Sequence, residues 1–418
     1  MSAISKKSPR GIHLPVLPAV SLLVALICPA IAANPIFSTE KFTQHDAILI
    51  SDQTGKIIYQ WQPDKALVPA SLTKLVTAYL AIDKWGRDHR FITDFFIRGN
   101  ELWVKGYGDP YLISEELDVI RHALQDKLPN GIKSLHVDSS YFLREPVPGQ
   151  TSVADPYNAP LSAVAANFNT VMLQRIAGKL SSAEPQTPLT DVAAQVASGV
   201  GSAAERVNLV DVNRAQHHFA ELLIAKMGLG IADIHINQAL PTDAEPVYRH
   251  HNSHPLAEVL RGALEYSNNF IANQLFLLLA QDDEVSQMQF ANSAQYVKER
   301  LAALMNWSSA VLVDGSGLSR RNKLTARQIN QVLRSLEPDK LLLKQYSLDE
   351  NPGSGLISPK AYAKSGTLSG VHGLAGYLQL NGVQYQFVFM FNRPMSYRYR
   401  EQLLQKLAQQ LALSQSMD

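Results

Sequence analysis

The sequence predicts an α/β protein of the α+β type, in which one domain is split along the chain and a smaller α/β domain is inserted into it. The split domain is expected to contain an antiparallel sheet flanked by helices. Two pairs of strand-like segments lie at opposite ends of the chain: residues 47–51 with 56–61, and residues 376–380 with 383–389. Asn381-Gly382 joins the second pair, and this dipeptide is a strong hairpin signal. Because a helical pattern follows each pair, we expect both ends of the chain to build one sheet.

The helices next to these hairpins are predicted from apolar spacing. Residues 72–80 repeat apolar side chains at helical intervals just after Pro69, and residues 397–413 do so at the end of the chain. Between the two ends, strand-like residues 102–106 and 134–138 flank a helical segment at 115–127. Strand, helix and strand in this order indicate a small α/β unit. The insertion is therefore expected from about Phe91 to about Tyr248.

The first residues of the chain are typical of an export signal. A basic start, with Lys6, Lys7 and Arg10, precedes an uncharged stretch at residues 14–33. The small residues of Ala30-Ile31-Ala32 predict cleavage near Ala33, and prolines within the stretch disfavour a membrane-spanning helix. The predicted organisation is a signal peptide, a split domain and an inserted accessory region, at residues 1–32, at 33–90 with 249–418, and at 91–248.

Composition excludes several classes of protein. The 418 residues are 46% hydrophobic and 18% charged with a net charge of +1, so neither a nucleic-acid-binding surface nor disorder is expected. Cys28 is the single cysteine and lies in the segment predicted to be removed. The mature chain is thus expected to use no disulfide, metal thiolate or cysteine nucleophile.

The first chemical motif is Ser71 with Lys74 at the start of the predicted helix. Three residues apart on a helix, their side chains share one face. A neutral lysine amine can accept the proton of the serine hydroxyl, and the helix N-terminus supplies N–H groups for an oxyanion. Taken alone, Ser-x-x-Lys is a weak signal, because it also arises by chance.

Two further motifs follow in the chain. Ser267 and Asn269 lie at a predicted junction between helices, where polar side chains can face a cleft, although such residues also serve as helix caps. Near the C-terminus, a strand-like run leads to the cluster Lys364-Ser365-Gly366-Thr367. There Lys364 provides a positive charge, Gly366 allows close backbone approach, and the Thr367 N–H is a second candidate oxyanion donor.

The order and contexts of the three motifs resemble those of penicillin-binding proteins and serine β-lactamases, which act through an active-site serine acyl-enzyme. Within that group the chain is similar to the penicillin-binding protein 4 family of D-alanyl-D-alanine carboxypeptidase/endopeptidases, the class C low-molecular-mass penicillin-binding proteins. Six further stretches carry this similarity: GYGDP (106–110), VDSSYF (137–142), YNAP (157–160), NFN (167–169), VDGSGLS (313–319) and GLAGY (373–377).

The resemblance implies a split β-lactamase/transpeptidase-like catalytic domain with domains inserted after the nucleophile helix. The Ala/Ser/Pro/Thr/Gly-rich residues 181–204, of which 189–197 are predicted to be helical, suggest that the innermost inserted domain is reduced here. Ser365 stands where the family commonly has threonine, and both residues carry a hydroxyl. The expected location is the periplasm, and no cofactor, metal or nucleic acid is expected. The sequence leaves open the oligomeric state and whether the mature protein associates loosely with the membrane.

A mechanism follows as a hypothesis. Ser71 attacks the penultimate D-alanine carbonyl of a peptidoglycan stem peptide, and Lys74 accepts its proton, with a pKa lowered by burial and by the charge of Lys364. Ser267 relays a proton to the leaving amine, and Asn269 positions Lys74 and the substrate. The terminal carboxylate binds Lys364 and the Thr367 hydroxyl. β-Lactams are expected to acylate Ser71 as covalent inhibitors.

Alternatives remain at this stage. A β-lactamase or esterase of the same fold, or a penicillin-binding receptor with slow turnover, would use the same serine. Glu145-Pro146 is only faintly similar to the deacylating glutamate of class A β-lactamases and is predicted to lie in a loop. His250, His251 and His254 could suggest a metal site, but the absence of Asp or Glu within their run predicts a surface connection instead.

Overall fold

A computed structural model describes residues 36–151, 155–241, 245–282, 287–348 and 359–416, so the predicted signal peptide and its cleavage site lie outside the described residues. The strands in chain order are β1 (Asp46–Asp52), β2 (Ile57–Trp61), β3 (Ile92–Arg98), β4 (Glu101–Gly106), β5 (Ser134–Asp138), β6 (Thr170–Ile176), β7 (Lys179–Ser182), β8 (Glu205–Asn208), β9 (Asp233–Ile236), β10 (Tyr248–His251), β11 (Lys344–Ser347), β12 (Lys360–Leu368), β13 (Val371–Leu380) and β14 (Val383–Phe391).

The helices are α1 (Thr73–Trp85), α2 (Ser114–Leu124), α3 (Asp191–Gln195), α4 (Val212–Met227), α5 (Leu256–Glu265), α6 (Asn269–Leu278), α7 (Phe290–Met305), α8 (Ala326–Ser335) and α9 (Tyr399–Gln415). Shorter 3-10 turns occupy Ala70–Leu72, Pro156–Asn158, Asn167–Asn169 and Glu337–Leu342. Within the described ranges, no helix is long and apolar enough to cross a membrane.

The main sheet joins both ends of the chain, as predicted. Its strand order is β11-β12-β13-β14-β1-β2, and every neighbouring pair is antiparallel. The first strand β1 pairs with the last strand β14 over seven residues, with Ile48 opposite Phe389. This pairing closes the sheet between two segments that are more than three hundred residues apart in sequence.

Successive side chains of β1 and β14 point alternately to the two faces of this sheet, so each face has its own hydrophobic core. Ile48 and Phe389 pack on the face covered by α9, whereas Leu49 and Val388 pack on the opposite face with α1 and α5 to α8. Successive side chains of a strand point to opposite faces, so a sheet buried on both sides reads as a continuous apolar run. The helices that carry the first two predicted motifs, α1 and α6, pack together on the second face.

Two smaller sheets come from the region predicted to be inserted. The five-stranded sheet has the order β10-β3-β4-β5-β9, and its core includes side chains of α2 and α4. The three-stranded sheet β7-β6-β8 packs with α3, which confirms a helix within residues 189–197. Strand β10 pairs with β3 at the predicted domain boundary. The division of the chain into domains stays a prediction.

The surface position predicted for the histidine run is wrong for His250. This residue is fully buried in β10, and its Nε2 lies 2.8 Å from Oε2 of Glu116 on α2. The N–H and hydroxyl of Ser253 also donate to Glu116. The acidic partner comes from 134 residues earlier in the chain, so the composition of the run itself could not indicate it.

Candidate active site

Ser71 lies in the 3-10 turn Ala70–Leu72, immediately before α1 begins at Thr73. The sequence predicted that Ser71 opens the helix, and the structure places it half a turn ahead in this tighter segment. Ala70 adopts a positive φ of 49°, which is uncommon for a residue with a Cβ. Such local strain is typical of functional sites, where the surrounding structure holds the backbone. The turn presents Ser71, half-exposed, to an open cleft.

Lys74 lies one turn further on, with its amine at the centre of a hydrogen-bond cluster. Its Nζ donates to Ser71 Oγ at 3.2 Å, to Asn269 Oδ1 at 2.6 Å and to the Ser316 carbonyl at 2.8 Å. Burial is the largest cause that lowers the pKa of Lys74 well below its usual value, and the charge of Lys364 lowers it further. Asp314 opposes this shift. A lysine with a depressed pKa can serve as a base near neutral pH.

The segment of residues 313–319 forms a loop beneath Lys74, organised around the buried Asp314. One carboxylate oxygen accepts from the Ser316 N–H at 2.9 Å and the Gly317 N–H at 2.6 Å, and the other accepts from the Ser319 N–H at 2.9 Å. Gly317 has a φ of 86°, and a Cβ there would collide with the carbonyl oxygen of Ala70. The loop therefore packs directly against the backbone of the 3-10 turn Ala70–Leu72, which contains Ser71.

Ser267 and Lys364 form the second hydrogen-bonded pair of the site. Ser267 lies between α5 and α6 with a positive φ of 60°, and Lys364 Nζ donates to its Oγ at 2.8 Å. Lys364 also donates to the Ser365 carbonyl at 2.8 Å. Burial, and then the charges of Arg400 and Lys344, lower the pKa of Lys364 to about 7. A serine hydroxyl held by an amine in this way can pass on a proton.

Strand β12 brings Gly366 and Thr367 beside the 3-10 turn that contains Ser71. A Cβ on Gly366 would lie 2.8 Å from the Pro69 carbonyl oxygen and 3.1 Å from the Ser71 nitrogen, so glycine permits this close approach. Arg400 of α9 donates to the Gly366 carbonyl at 3.0 Å and to Thr367 Oγ1 at 2.8 Å. The buried Arg400 side chain thus connects α9 to the C-terminal end of β12.

A cleft of about 1000 Å³ connects these groups. Four predicted residues line it: Ser71, Ser267, Asn269 and Thr367. Lys74 and Lys364 lie buried beneath its floor and hydrogen-bond to the lining serines. Ser365 does not line the cleft. Three segments that are far apart in sequence therefore meet around one space.

Asp314, Asn273 and Arg400 are parts of the site to which the sequence assigned no role. Asn273 Oδ1 accepts from the Gly315 and Ser316 N–H groups, both at 3.0 Å, and so ties the loop to α6. The Asp-Gly-Ser-Gly composition of residues 314–317 is a turn signal that could have pointed to this loop. No local pattern marks Arg400, which lies within an ordinary amphipathic helix.

Several solved structures share the fold of this chain. Penicillin-binding protein 4 (dacB) of Haemophilus influenzae superposes with a TM-score of 0.68 and 20% identity, covering 90% of this chain and 98% of that one. The same protein has been solved in complex with a novel β-lactam, with a TM-score of 0.65 and 20% identity over 88% of this chain and 95% of that one. A predatory peptidoglycan endopeptidase of Bdellovibrio bacteriovorus, Bd3459, matches with a TM-score of 0.51 and 17% identity, covering 89% and 93%. The fold is that of the penicillin-binding proteins, which confirms the predicted fold class.

The family follows from sequence comparison. The sequence model of the D-Ala-D-Ala carboxypeptidase 3 (S13) family matches residues 40–214 and 196–411. The D-alanyl-D-alanine carboxypeptidase of Actinomadura sp. (strain R39) is 25% identical over 79% of this chain and 74% of its own length. DacB of H. influenzae is 32% identical over about a third of each chain: 34% of this one and 33% of its own. The chain belongs to the S13 family and is a serine-type D-Ala-D-Ala carboxypeptidase, as the resemblance predicted.

Proposed function

We propose that the protein is a periplasmic D-alanyl-D-alanine carboxypeptidase/endopeptidase that cleaves peptidoglycan stem peptides through an acyl-enzyme on Ser71. One observation carries the proposal: Ser71 Oγ lies 3.2 Å from the buried amine of Lys74, whose pKa is lowered, at the edge of an open cleft. A hydroxyl and a base within hydrogen-bond reach are the minimal parts of an activated serine nucleophile.

In the first step Lys74 takes the hydroxyl proton as Ser71 Oγ bonds to the carbonyl carbon of the penultimate D-alanine. The Ser71 and Thr367 N–H groups stabilise the oxyanion, and each such donor contributes about 3 kcal/mol in comparable sites. The amide C–N bond then breaks, and Ser267 relays to the departing amine the proton that Lys74 accepted, so that Lys74 is neutral again. Water attacks the resulting ester and releases Ser71 and the shortened peptide.

Substrate orientation comes from the groups at the end of β12. The cationic Lys364 and the Thr367 hydroxyl bind the terminal carboxylate, supported by Arg400. Asn269 holds Lys74 through Oδ1, while its Nδ2 donates to the Tyr157 carbonyl at 3.1 Å. Asn269 therefore links the base to the wall of the cleft and fixes the distance across which the substrate must fit.

β-Lactams are expected to react at the same serine, because their amide resembles the D-Ala-D-Ala group. The ring-opened ester would occupy the cleft and exclude the hydrolytic water. Labelling the purified protein with a fluorescent penicillin tests this step: the wild type should be labelled at Ser71, as located by peptide mass spectrometry, and Ser71→Ala should not. Equal labelling of Ser71→Ala would refute the proposal.

Activity and location need separate measurements. Release of D-alanine from a pentapeptide should accompany cleavage of a cross-linked muropeptide, and both should be lost in Ser71→Ala. Rapid consumption of penicillin without D-alanine release would indicate a β-lactamase instead. Cell fractionation with N-terminal sequencing should find the protein in the periplasm, beginning near Ala33.

A further inference from the structure

A second pocket, of about 500 Å³, lies against the α5–α6 junction. It shares Tyr157, Ser267 and Asn269 with the catalytic cleft, so both spaces border the same short segment. Its other lining residues include four aromatic side chains, Tyr111, Phe168, Tyr266 and Phe270, together with Pro156, Thr170, Arg206, Gly262, Asn268 and Ile271. The two spaces therefore differ in chemistry, because the cleft contains the proposed reacting groups and the second pocket offers four aromatic rings.

The backbone around Phe168 is held in an unusual conformation that places its ring in this pocket. Three consecutive residues, Asn167, Phe168 and Asn169, have φ values of 49°, 62° and 52°. Asparagine tolerates the left-handed region, whereas a bulky aromatic residue does so at a cost. The Asn167 side chain bonds to Ser114, accepting from its N–H at 2.9 Å and donating to its hydroxyl at 2.8 Å. These contacts maintain a turn that Phe168 alone would not favour.

The rings form a connected wall. Phe168 contacts Tyr111 edge to face with centroids 5.6 Å apart, and it contacts Phe270 in the same manner at 6.3 Å. Tyr266 completes the lining with 77% of its surface exposed, the highest value among the large apolar side chains of the described residues. The aromatic ring of Tyr266 is exposed to water beside a preformed pocket, so a ligand that covers this ring would bind more favourably.

We infer that this pocket binds the departing half of a cross-linked peptidoglycan peptide, as an S′-type subsite of the endopeptidase reaction. The inference rests on the proposed function, in which Ser267 protonates the departing amine. The departing group must therefore begin beside Ser267, which also borders the pocket. A single D-alanine is too small to fill about 500 Å³, and pockets of this size hold ligands of peptide dimensions.

The occupant has a definite chemistry. In a cross-link the departing amine is the side-chain amine of a diamino acid in the second stem peptide, so several methylene groups follow the broken C–N bond. Methylenes pack favourably on aromatic faces, because the contact removes apolar surface of both groups from water. Tyr266 and Phe168 supply such faces, and the acyl half remains bound to Ser71 in the catalytic cleft. Carboxypeptidase turnover, with its small leaving group, does not need these rings.

The test compares two substrates with the full-length mature protein. We expect Tyr266→Ala to lower kcat/KM for a cross-linked muropeptide dimer roughly tenfold relative to kcat/KM for D-alanine release from a monomeric pentapeptide. Tyr266→Phe keeps the ring and should retain the wild-type ratio. Leu413→Ala, which removes another exposed apolar side chain on α9, is the matched control and should also leave the ratio unchanged.

Three results would overturn the inference. The first is an unchanged ratio for Tyr266→Ala, including the case in which kcat/KM falls equally for both substrates. The second is an equal fall of the ratio in Leu413→Ala, and the third is a wild type that does not cleave the dimer. Fluorescent-penicillin labelling of each variant separates this failure from failure of the proposed function. Labelling at Ser71 with an unchanged substrate ratio would leave the acyl-enzyme proposal standing while removing the subsite.

Discussion

At the scale of single residues, the two buried lysines of the site have different environments. Lys74 is surrounded by Ser71, Asn269 and the Ser316 carbonyl, with Asp314 nearby, whereas Lys364 lies between Ser267 and the positive charge of Arg400. Both pKa values are lowered, chiefly by burial. Their proposed duties nevertheless require opposite protonation states, because a base must be neutral and a carboxylate ligand must be charged.

Lys74 should control the acidic limb of the pH profile. Its amine is a base only when neutral, so the rate of penicillin acylation should fall as pH decreases through the lowered pKa of Lys74. Lys74→Arg keeps a positive charge that does not dissociate in proteins, and it should slow acylation about a thousandfold. Stopped-flow labelling across pH measures both effects. An acylation rate independent of pH, or an active Lys74→Arg protein, would contradict the assignment.

Lys364 should control the alkaline limb. With a pKa of about 7 it is cationic below that pH and loses its charge as pH rises through it. KM for a pentapeptide should therefore increase on the alkaline side, because the substrate carboxylate loses a charged partner. Lys364→Arg, which stays charged, should remove this dependence of KM on pH. A KM that stays constant for the wild type would show that Lys364 does not bind the carboxylate in its charged form.

At the scale of elements, α9 supports the active strand through one side chain. Arg400 donates to the Gly366 carbonyl, to Thr367 Oγ1 and to the Gly373 carbonyl at 3.2 Å, so it joins the helix to β12 and β13. Arg400→Ala should leave these buried acceptors without this donor, at a cost of about 1–3 kcal/mol in the free energy of unfolding. KM for the pentapeptide should rise roughly tenfold with a smaller change in kcat, because binding geometry is disturbed more than acylation chemistry.

Arg398→Ala provides the matched control for this prediction, since Arg398 is exposed just before α9. It should alter neither the unfolding free energy nor KM. If Arg400→Ala lowered stability but left KM unchanged, Arg400 would be a core residue without influence on substrate binding. Chemical denaturation and steady-state kinetics on the same protein samples distinguish these outcomes.

The loop of residues 313–319 is the second element on which the site depends. Asp314→Asn keeps the shape of the side chain but replaces one acceptor oxygen, now facing backbone N–H groups, with a donor. The free energy of unfolding should fall by about 2–4 kcal/mol. Because Asp314 raises the pKa of Lys74, its loss should also move the acidic limb of acylation to lower pH. Unfolding curves and a pH series measure the two effects.

Asp64→Asn is the control for the loop variant, because the Asp64–Arg327 ion pair is exposed at the surface. Such pairs contribute about 0–1 kcal/mol, so neither stability nor the pH profile should change much. A loop variant that behaved like Asp64→Asn would mean that the hydrogen bonds around Asp314 are replaceable by water.

At the scale of the whole molecule, a buried histidine–carboxylate hydrogen bond joins α2 to β10. His250 and Glu116 are both nearly inaccessible to solvent and lie 2.8 Å apart. His250→Ala would remove one hydrogen-bond partner of the buried Glu116 carboxylate, so it should lower the free energy of unfolding by about 2–3 kcal/mol. Penicillin labelling at Ser71 should persist below the unfolding transition, because His250 is not among the residues that line the catalytic cleft.

His122→Ala is the comparison for this variant, since His122 is exposed on α2 and its hydrogen bonds are local, to the Asp118 carbonyl of its own helix and to Arg121. It should leave stability within about 0.5 kcal/mol of the wild type. Loss of penicillin labelling in folded His250→Ala would instead mean that the pair transmits its effect to the active site.

Much of the architecture could be predicted because local signals were strong. The Asn381-Gly382 hairpin, the strand at Ser134–Asp138 and the helix-to-helix junction at Ser267 all lie where the sequence placed them. Where the local signals were weaker, the predicted helix bounds were less accurate. Helix α3 spans only Asp191–Gln195 of the predicted range 189–197, and Ser71 precedes α1 instead of opening it. Helix ends depend on capping and on packing against neighbours, so periodicity alone locates them only approximately.

What the sequence determined by itself is the set of candidate reactive side chains, their order, and the pairing of both chain ends in one sheet, because spacing and turn chemistry are local properties. Only the tertiary structure decided how those side chains are tuned. Lys74 hydrogen-bonds to Ser316, 242 residues away in sequence, and His250 to Glu116, 134 residues away. Tyr111 and Tyr266 line the same pocket. Burial, charge and contact between such distant segments arise only when the chain is folded, and no local pattern specifies them.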